Sequence, residues 1–157
     1  MRAEGARLPR ADPSPLGADA EVELIELLFF AYRDFVGDAD RLLETYKFGR
    51  AHHRALHFVN RRPGLTVAEL LDILRITKQS LNRVLRELVR AGFIEQRAGA
   101  ADRRQRLLFA TLKGEALAKE LIAVQGARLS QAIRAMGPEG ELSARAFLEG
   151  VSRGGER

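Results

Sequence analysis

The residues from Thr66 to Thr111 constrain the fold of this chain more than any other segment. They open with Thr-x-x-Glu, a capping box in which the Thr66 hydroxyl and the Glu69 carboxylate satisfy backbone amides at a helix start. That helix is short and ends near Leu74, and Thr77 then supplies the N-cap of the next helix. The segment therefore predicts two short helices joined by a tight turn.

The second helix and the residues after it complete a recognisable order of elements. Four apolar residues fall at helical spacing i, i+3, i+4 and i+7 and form one buried stripe: Leu81, Val84, Leu85 and Leu88. Gly92 is a suitable C-cap for this helix. Residues 93–97 and 106–109 have strand character, and residues 99–102 make the turn between them. A helix-turn-helix followed by a two-stranded wing is predicted.

The outward face of the second helix is cationic and rich in amides. Arginine can donate two hydrogen bonds to guanine, asparagine or glutamine can do the same with adenine, and a helix N-terminus attracts phosphate. A helix that binds in a DNA major groove requires both base-edge hydrogen bonds and phosphate contacts. The candidate DNA-binding residues of this helix are Thr77, Lys78, Gln79, Ser80, Asn82, Arg83 and Arg86.

The tip of the predicted wing supplies a second set of candidates. A long guanidinium side chain on a loop can enter a narrow minor groove, where the negative potential is enhanced. Asp102 is too short and has the wrong charge for this role, so we expect it to cap the turn or pair with an arginine. The candidate wing residues are Arg97, Asp102, Arg103 and Arg104.

The charge of the chain is concentrated in this segment. Between Arg75 and Arg106 there are nine basic residues and three acidic ones, a net charge of +6. The whole chain carries +5, so the remaining residues sum to −1. Such asymmetry directs one face of a protein towards a polyanion, and double-stranded DNA is the predicted partner.

From about residue 21 to residue 151 the sequence resembles the MarR family of bacterial transcription regulators. The most specific element is Asp-x-Arg at Asp102 to Arg104, then five residues, then a Leu-Thr pair and a nearby glycine. Here the pair is Ala110-Thr111, which departs from the family by one residue, and Gly114 follows. The resemblance implies a homodimer that binds a pseudo-palindromic operator, usually as a repressor released by a small, often aromatic, effector.

The predicted fold is mainly α, an α+β winged helix with dimerisation helices at both ends. The four predicted regions are a disordered tail (1–20), an N-terminal dimerisation helix region (21–48), the winged helix-turn-helix lobe (49–111) and C-terminal dimerisation helices (112–157). The helix at 21–35 carries two apolar stripes, which indicates burial against a second chain. Gly37 and Asp38 are expected to interrupt it before a short helix resumes at Arg41.

A candidate effector pocket follows from the aromatic and histidine residues of the first third. All three histidines lie on one predicted helix, and His53 and His57 share a face. That spacing would suit two metal ligands, yet the chain has no cysteine, and a third ligand would have to come from Asp34, Asp38, Glu44 or a carboxylate of a second subunit. Neither a metal nor another cofactor is predicted. Hydrogen-bonded interface histidines or a pocket wall are the expected roles. The candidate pocket residues are Phe30, Phe35, His52, His53, Leu56 and His57.

Several other functions are disfavoured. The absence of cysteine excludes disulfides and thiol redox sensing. No apolar run approaches the ~20 residues of a membrane span, and no secretory signal is evident, so a cytoplasmic location is expected. No nucleophile–base pair or phosphate loop indicates an enzyme. The alternative that stays open is a winged helix used as a protein–protein interaction module, which should expose an apolar or mixed helix face.

Overall fold

A computed structural model describes residues 15–152. The chain divides into two compact units, the first ending at Asp34 and the second beginning at Phe35. The helices are α1 (Ala18–Glu44), α2 (Arg50–Arg61), α3 (Val67–Leu74), α4 (Lys78–Arg90), α5 (Leu112–Met136) and α6 (Gly140–Val151). The strands are β1 (Leu65–Thr66), β2 (Ile94–Ala98) and β3 (Arg106–Ala110). The predicted mainly α fold with a small antiparallel sheet is confirmed.

The sheet is antiparallel with strand order β1-β3-β2. β2 and β3 form the wing, in register from Ile94 opposite Ala110 to Ala98 opposite Arg106. β1 was not predicted. It has only two residues, too few for a period-2 pattern, and it exists because Leu65 pairs with Leu108 beside the wing.

The local signals that predicted α3 and α4 are present in the structure. The Thr66 hydroxyl accepts a hydrogen bond from the Glu69 amide, and the Glu69 carboxylate accepts one from the Thr66 amide at 2.8 Å. Thr77 caps α4 by accepting from the amide of Ser80. Gly92, at a φ of 81°, ends α4 because the amides of Gly92 and Phe93 bond back to carbonyls of the last turn.

The core of the second unit lies where α4 meets α2, α5 and the sheet. The four residues of the α4 stripe are between 0% and 2% exposed. Phe93, Ile94 and Leu108 of the wing base, with Leu117 and Leu121 of α5, pack into the same cluster. Burial of this stripe determines how α4 is rotated about its axis and which side chains it presents to solvent.

Three boundaries differ from the sequence prediction. α1 runs without interruption to Glu44, because a helical glycine costs only about 1 kcal/mol and Asp38 is held by Arg41 and Arg128. Ionic hydrogen bonding to Arg128 also lowers the pKa of Asp38. The first helix begins at Ala18, inside the region predicted as a tail, and α6 begins at Gly140, two residues before Leu142, where the sequence predicts the last helix to begin. The rest of the predicted tail, residues 1–14, lies outside the described residues.

None of the helices among residues 15–152 combines the length and the hydropathy that crossing a membrane requires.

Gly114 should not tolerate a side chain, because a Cβ there would lie 2.0 Å from the carbonyl oxygen of Phe93. We expect Gly114→Ala to lower the free energy of unfolding by about 1–3 kcal/mol or more, measured by urea denaturation. The control is Gly126→Ala in the same helix, where a Cβ meets nothing within 4 Å. That change should stabilise the helix by up to about 1 kcal/mol. Equal stability of the two variants would contradict the close contact.

Candidate nucleic-acid interface

A groove of about 1120 Å³ separates the start of α3, the outer face of α4 and the wing. Its wall combines amides, hydroxyls, cations and a few aliphatic side chains. The residues that line it are Thr66, Val67, Ala68, Leu71, Lys78, Gln79, Asn82, Leu85, Arg86, Gln96, Asp102, Arg104, Gln105 and Arg106. The recognition helix and the wing, which are separate segments in the sequence, therefore line one concave surface.

The groove brings together six of the eleven residues predicted to bind DNA. Four come from α4 and two from the wing: Lys78, Gln79, Asn82, Arg86, Asp102 and Arg104. Thr77 and Ser80 bond to each other at the start of α4, the Thr77 hydroxyl donating to the Ser80 hydroxyl at 2.9 Å. Their hydroxyls hold the N-terminus of α4 at the edge of the groove, where free backbone amides attract anions.

Arg83 does not line the groove. Its Nη1 lies 3.4 Å from Oε1 of Glu87, one turn further along α4. This pairing turns the guanidinium to the flank of the helix, into a separate cleft that also contains His52. The sequence placed Arg83 in line with Gln79 and Arg86. It could not show that the Glu87 carboxylate binds Arg83 through one oxygen and the buried His52 of α2 through the other.

The tip of the wing is organised by Asp102. Its Oδ1 accepts a hydrogen bond from the backbone amide of Arg104 at 2.9 Å, and its carbonyl accepts one from the amide of Gln105. The amide of Gly99 bonds to the carbonyl of Gln105 and closes the loop. The expectation that Asp102 caps the turn is confirmed. Arg103 and Arg104 are both exposed, and Arg104 is the one directed to the groove.

Alternation along β2 sends two neighbouring side chains to opposite faces of the wing. Gln96 shares a face with the buried Ile94 and lines the groove. Arg97 lies on the other face, paired with Glu95, with its guanidinium carbon 4.2 Å from the ring centre of Phe109. Its predicted DNA contact stays a prediction, while its visible role is to stiffen the wing.

Four polar groove residues were not among the predicted DNA contacts: Thr66, Gln96, Gln105 and Arg106. The period-2 pattern of β2, anchored on the buried Ile94, could have placed Gln96 on the groove side. Gln105 and Arg106 lie where the loop becomes β3, and their direction depends on the wing's twist.

The cleft beside α4 has a volume of about 640 Å³ and contains an aromatic cluster. The ring of His52 stacks on Phe48 at 4.7 Å, and Phe48 in turn meets Phe93 edge to face at 5.4 Å. Three cationic side chains also line the cleft: Lys47, Arg50 and Arg83. Because its rim is charged and its floor aromatic, this cleft could accommodate a small aromatic anion.

The candidate effector residues do not all lie in this cleft. His52 lines it, whereas Leu56 is 1% exposed and belongs to the core. His53 and His57 are half-buried on the neighbouring face of α2, and Phe35 is also half-buried. Phe30 belongs to the first unit, where it is exposed and lies under the guanidinium of Arg33. A shared pocket for these six residues therefore stays a prediction.

Burial lowers the pKa of both half-buried histidines. For His53 the charge of His57 lowers it further, although Asp40 acts in the opposite direction. For His57 the second cause is the charge of Arg61. Both imidazoles are therefore held neutral in the folded chain near neutral pH. Within residues 15–152, no group of three or more potential ligands is arranged to hold a metal ion.

Comparison with known proteins gives concordant results. A family model described as MarR family matches residues 46–105. The chain is 51% identical over 127 residues to the HTH-type transcriptional regulator PetP of Rhodobacter capsulatus, which covers 81% of this chain and 76% of that protein.

Two solved structures share the fold. FabT of Streptococcus pneumoniae in complex with DNA matches with a TM-score of 0.75 and 18% identity, over 85% of this chain and 95% of that one. A point mutant of MarR from E. coli complexed with operator DNA matches with a TM-score of 0.65 and 20% identity, over 85% and 96% of the two chains. At these identities the structural matches show the fold alone.

Proposed function

Because this chain belongs to the MarR family of helix-turn-helix transcription regulators, we propose that it binds a pseudo-palindromic DNA operator as a homodimeric repressor. The groove between α4 and the wing is the observation that carries this proposal. Its α4 side contributes amide and guanidinium groups, which can recognise base edges, and its wing side contributes cations. A protein–protein interaction module would not require this combination of amide and guanidinium groups on α4 with cations on the wing.

The proposed role of each groove residue in DNA binding follows from its position in the lobe. Gln79, Asn82 and Arg86 project from α4 into the groove and are the proposed base readers. Lys78, at the start of α4, is the proposed phosphate contact. Arg104 extends from the wing tip and is the proposed minor-groove contact.

The proposed dimer accounts for apolar surface that each unit leaves uncovered. In the first unit, the exposed apolar residues of α1 are Val22, Leu24, Ile25, Leu27, Leu28, Phe29, Phe30 and Tyr32. In the second unit, those of α5 after its first turn and of α6 are Ile122, Val124, Leu129, Met136, Leu142, Phe147, Leu148 and Val151. Apolar residues in such numbers indicate a protein interface. A two-fold dimer would place two copies of α4 about one helical turn of DNA apart.

We further propose that a small aromatic effector releases the repressor from DNA. The supporting observation is that the cleft containing Tyr46, Phe48 and His52 adjoins α4, so an occupant would shift the helix that is proposed to read DNA. A second candidate site lies on the neighbouring face of α2, outside this cleft, where the half-buried His53 and His57 are proposed to contact an acidic effector.

Arg86→Ala should weaken binding to a DNA duplex selected from a randomised pool by about 10-fold or more. It should also relax the base preference at one base pair of that duplex. Arg104→Ala should instead weaken binding evenly across sequences and lower the salt slope by about one. The matched control is Arg90→Ala, which removes the same charge from α4 outside the groove lining. Gel-shift titrations at several salt concentrations measure all three. If Arg86→Ala and Arg90→Ala were equivalent, the groove would not be the reading surface.

Leu148→Glu should convert the dimer into a monomer, because it places a charge within the exposed apolar set of α6. Sedimentation equilibrium should give twice the 17.5 kDa of one chain for the unmodified protein and that value itself for the variant. Leu112→Glu is the control, since Leu112 is 86% exposed at the first residue of α5, before that set begins. A monomeric unmodified protein would refute the dimer.

An effector site at His53 and His57 predicts that effector binding depends on pH. A carboxylate beside His53 and His57 favours their protonated forms, so binding takes up protons and tightens as the pH falls from about 8 to about 6. The stabilisation that benzoate produces in thermal unfolding should therefore grow over this range and disappear in a double His53→Gln, His57→Gln variant. Benzyl alcohol is the neutral control. A benzoate effect that is equal at both pH values would contradict these contacts.

A further inference from the structure

His52 differs from the other two histidines of α2 in its surroundings. It is 5% exposed, and among residues 15–152 it is the one polar or charged residue in the buried class. Its ring stacks on Phe48 with an interplanar angle of 12°. A buried imidazole needs partners for both nitrogens, and this one has them.

The partners of His52 define the position of its proton. The backbone amide of Gly49 donates to Nδ1 at 3.1 Å, so Nδ1 acts as an acceptor and carries no hydrogen. In the neutral ring the proton is then on Nε2, which lies 2.5 Å from Oε2 of Glu87 and donates to it. Because Gly49 caps α2, the start of this helix determines the direction of the imidazole.

Glu87 connects His52 to Arg83 through its two carboxylate oxygens. One carboxylate oxygen accepts from His52 on α2, and the other lies 3.4 Å from Nη1 of Arg83 on α4. The hydrogen bond from His52 is also the main reason why the pKa of Glu87 is lowered. Without His52, Glu87 and Arg83 would both be exposed side chains with ordinary rotamer freedom.

From the chain of contacts Gly49–His52–Glu87–Arg83 we infer that His52 is a positioning residue for DNA recognition, which holds Arg83 on the flank of α4, outside the groove, for contact with a phosphate of the DNA backbone. The inference rests on the proposed function and adds a residue on α2 that itself has no place in the groove. A side chain held in place before binding loses less freedom on binding, so Arg83 should contribute more to affinity than a mobile arginine.

The test is a double-mutant cycle on a duplex selected by the unmodified protein from a randomised pool. Arg83→Ala should cost about 10-fold in affinity in the unmodified background and only about 2-fold after His52→Leu. Glu87→Gln, at a half-exposed site that tolerates substitution, should reduce the cost of Arg83→Ala in the same way. The control is Asn60→Leu, at a half-buried polar position of the same helix, which should leave the cost of Arg83→Ala at about 10-fold.

A role of His52 in stability alone would lower affinity without changing the cost of Arg83→Ala, and that result would overturn the inference. The ¹⁵N resonances of the imidazole provide a second measurement that needs no DNA. They should show the tautomer protonated at Nε2, and a proton on Nδ1 would overturn the inference too. If the unmodified protein selected no duplex, the proposed function itself would fail, a result distinct from binding without coupling.

Discussion

The packing of α4 into the core is the interaction on which the rest of this structure depends. Leu81, Val84, Leu85 and Leu88 are almost completely buried, and burial of each such side chain contributes roughly 1.5–3 kcal/mol. A rotation of the helix by one position would expose leucine and bury arginine. The outward direction of Gln79, Asn82 and Arg86 is therefore a consequence of the apolar stripe.

The two ends of α4 are fixed by different means. Thr77 caps the first turn, and the last turn is closed by Gly92 and by Lys113, whose Nζ donates to the carbonyl of Ala91 at 2.9 Å. Next to it, the missing side chain of Gly114 allows α5 to approach the backbone of Phe93. α5 also carries exposed apolar residues, so one rigid helix connects the proposed dimer surface with the proposed reading helix.

The order of elements was predictable from the sequence because its signals are local. Capping residues, a leucine stripe and turn glycines each act within a few positions, and they located α3, α4 and the wing. β1 and the unbroken α1 were not predictable, since they depend on Leu108 and on Arg128, which are distant in sequence.

The candidate site was only partly predictable for the same reason. The outward face of α4 followed from periodicity, but the side chains of Arg83 and Arg97 are diverted by Glu87 and by Glu95 with Phe109. Which carboxylate or ring an arginine side chain contacts depends on how the helices and strands pack against one another. His52 is the clearest case: its spacing to Ala55, Leu56 and Val59 could have placed it on the buried face of α2, but only the contact with α4 reveals its partner Glu87.

Hydroxyl-radical footprinting of a selected duplex tests the central claim most directly, because it maps where both copies of the reading helix contact DNA. The account predicts two protected segments on each strand, related by two-fold symmetry and separated by about one helical turn. The flanking minor grooves should be protected by the wings. A single asymmetric protected segment, or no protection in low salt, would contradict it.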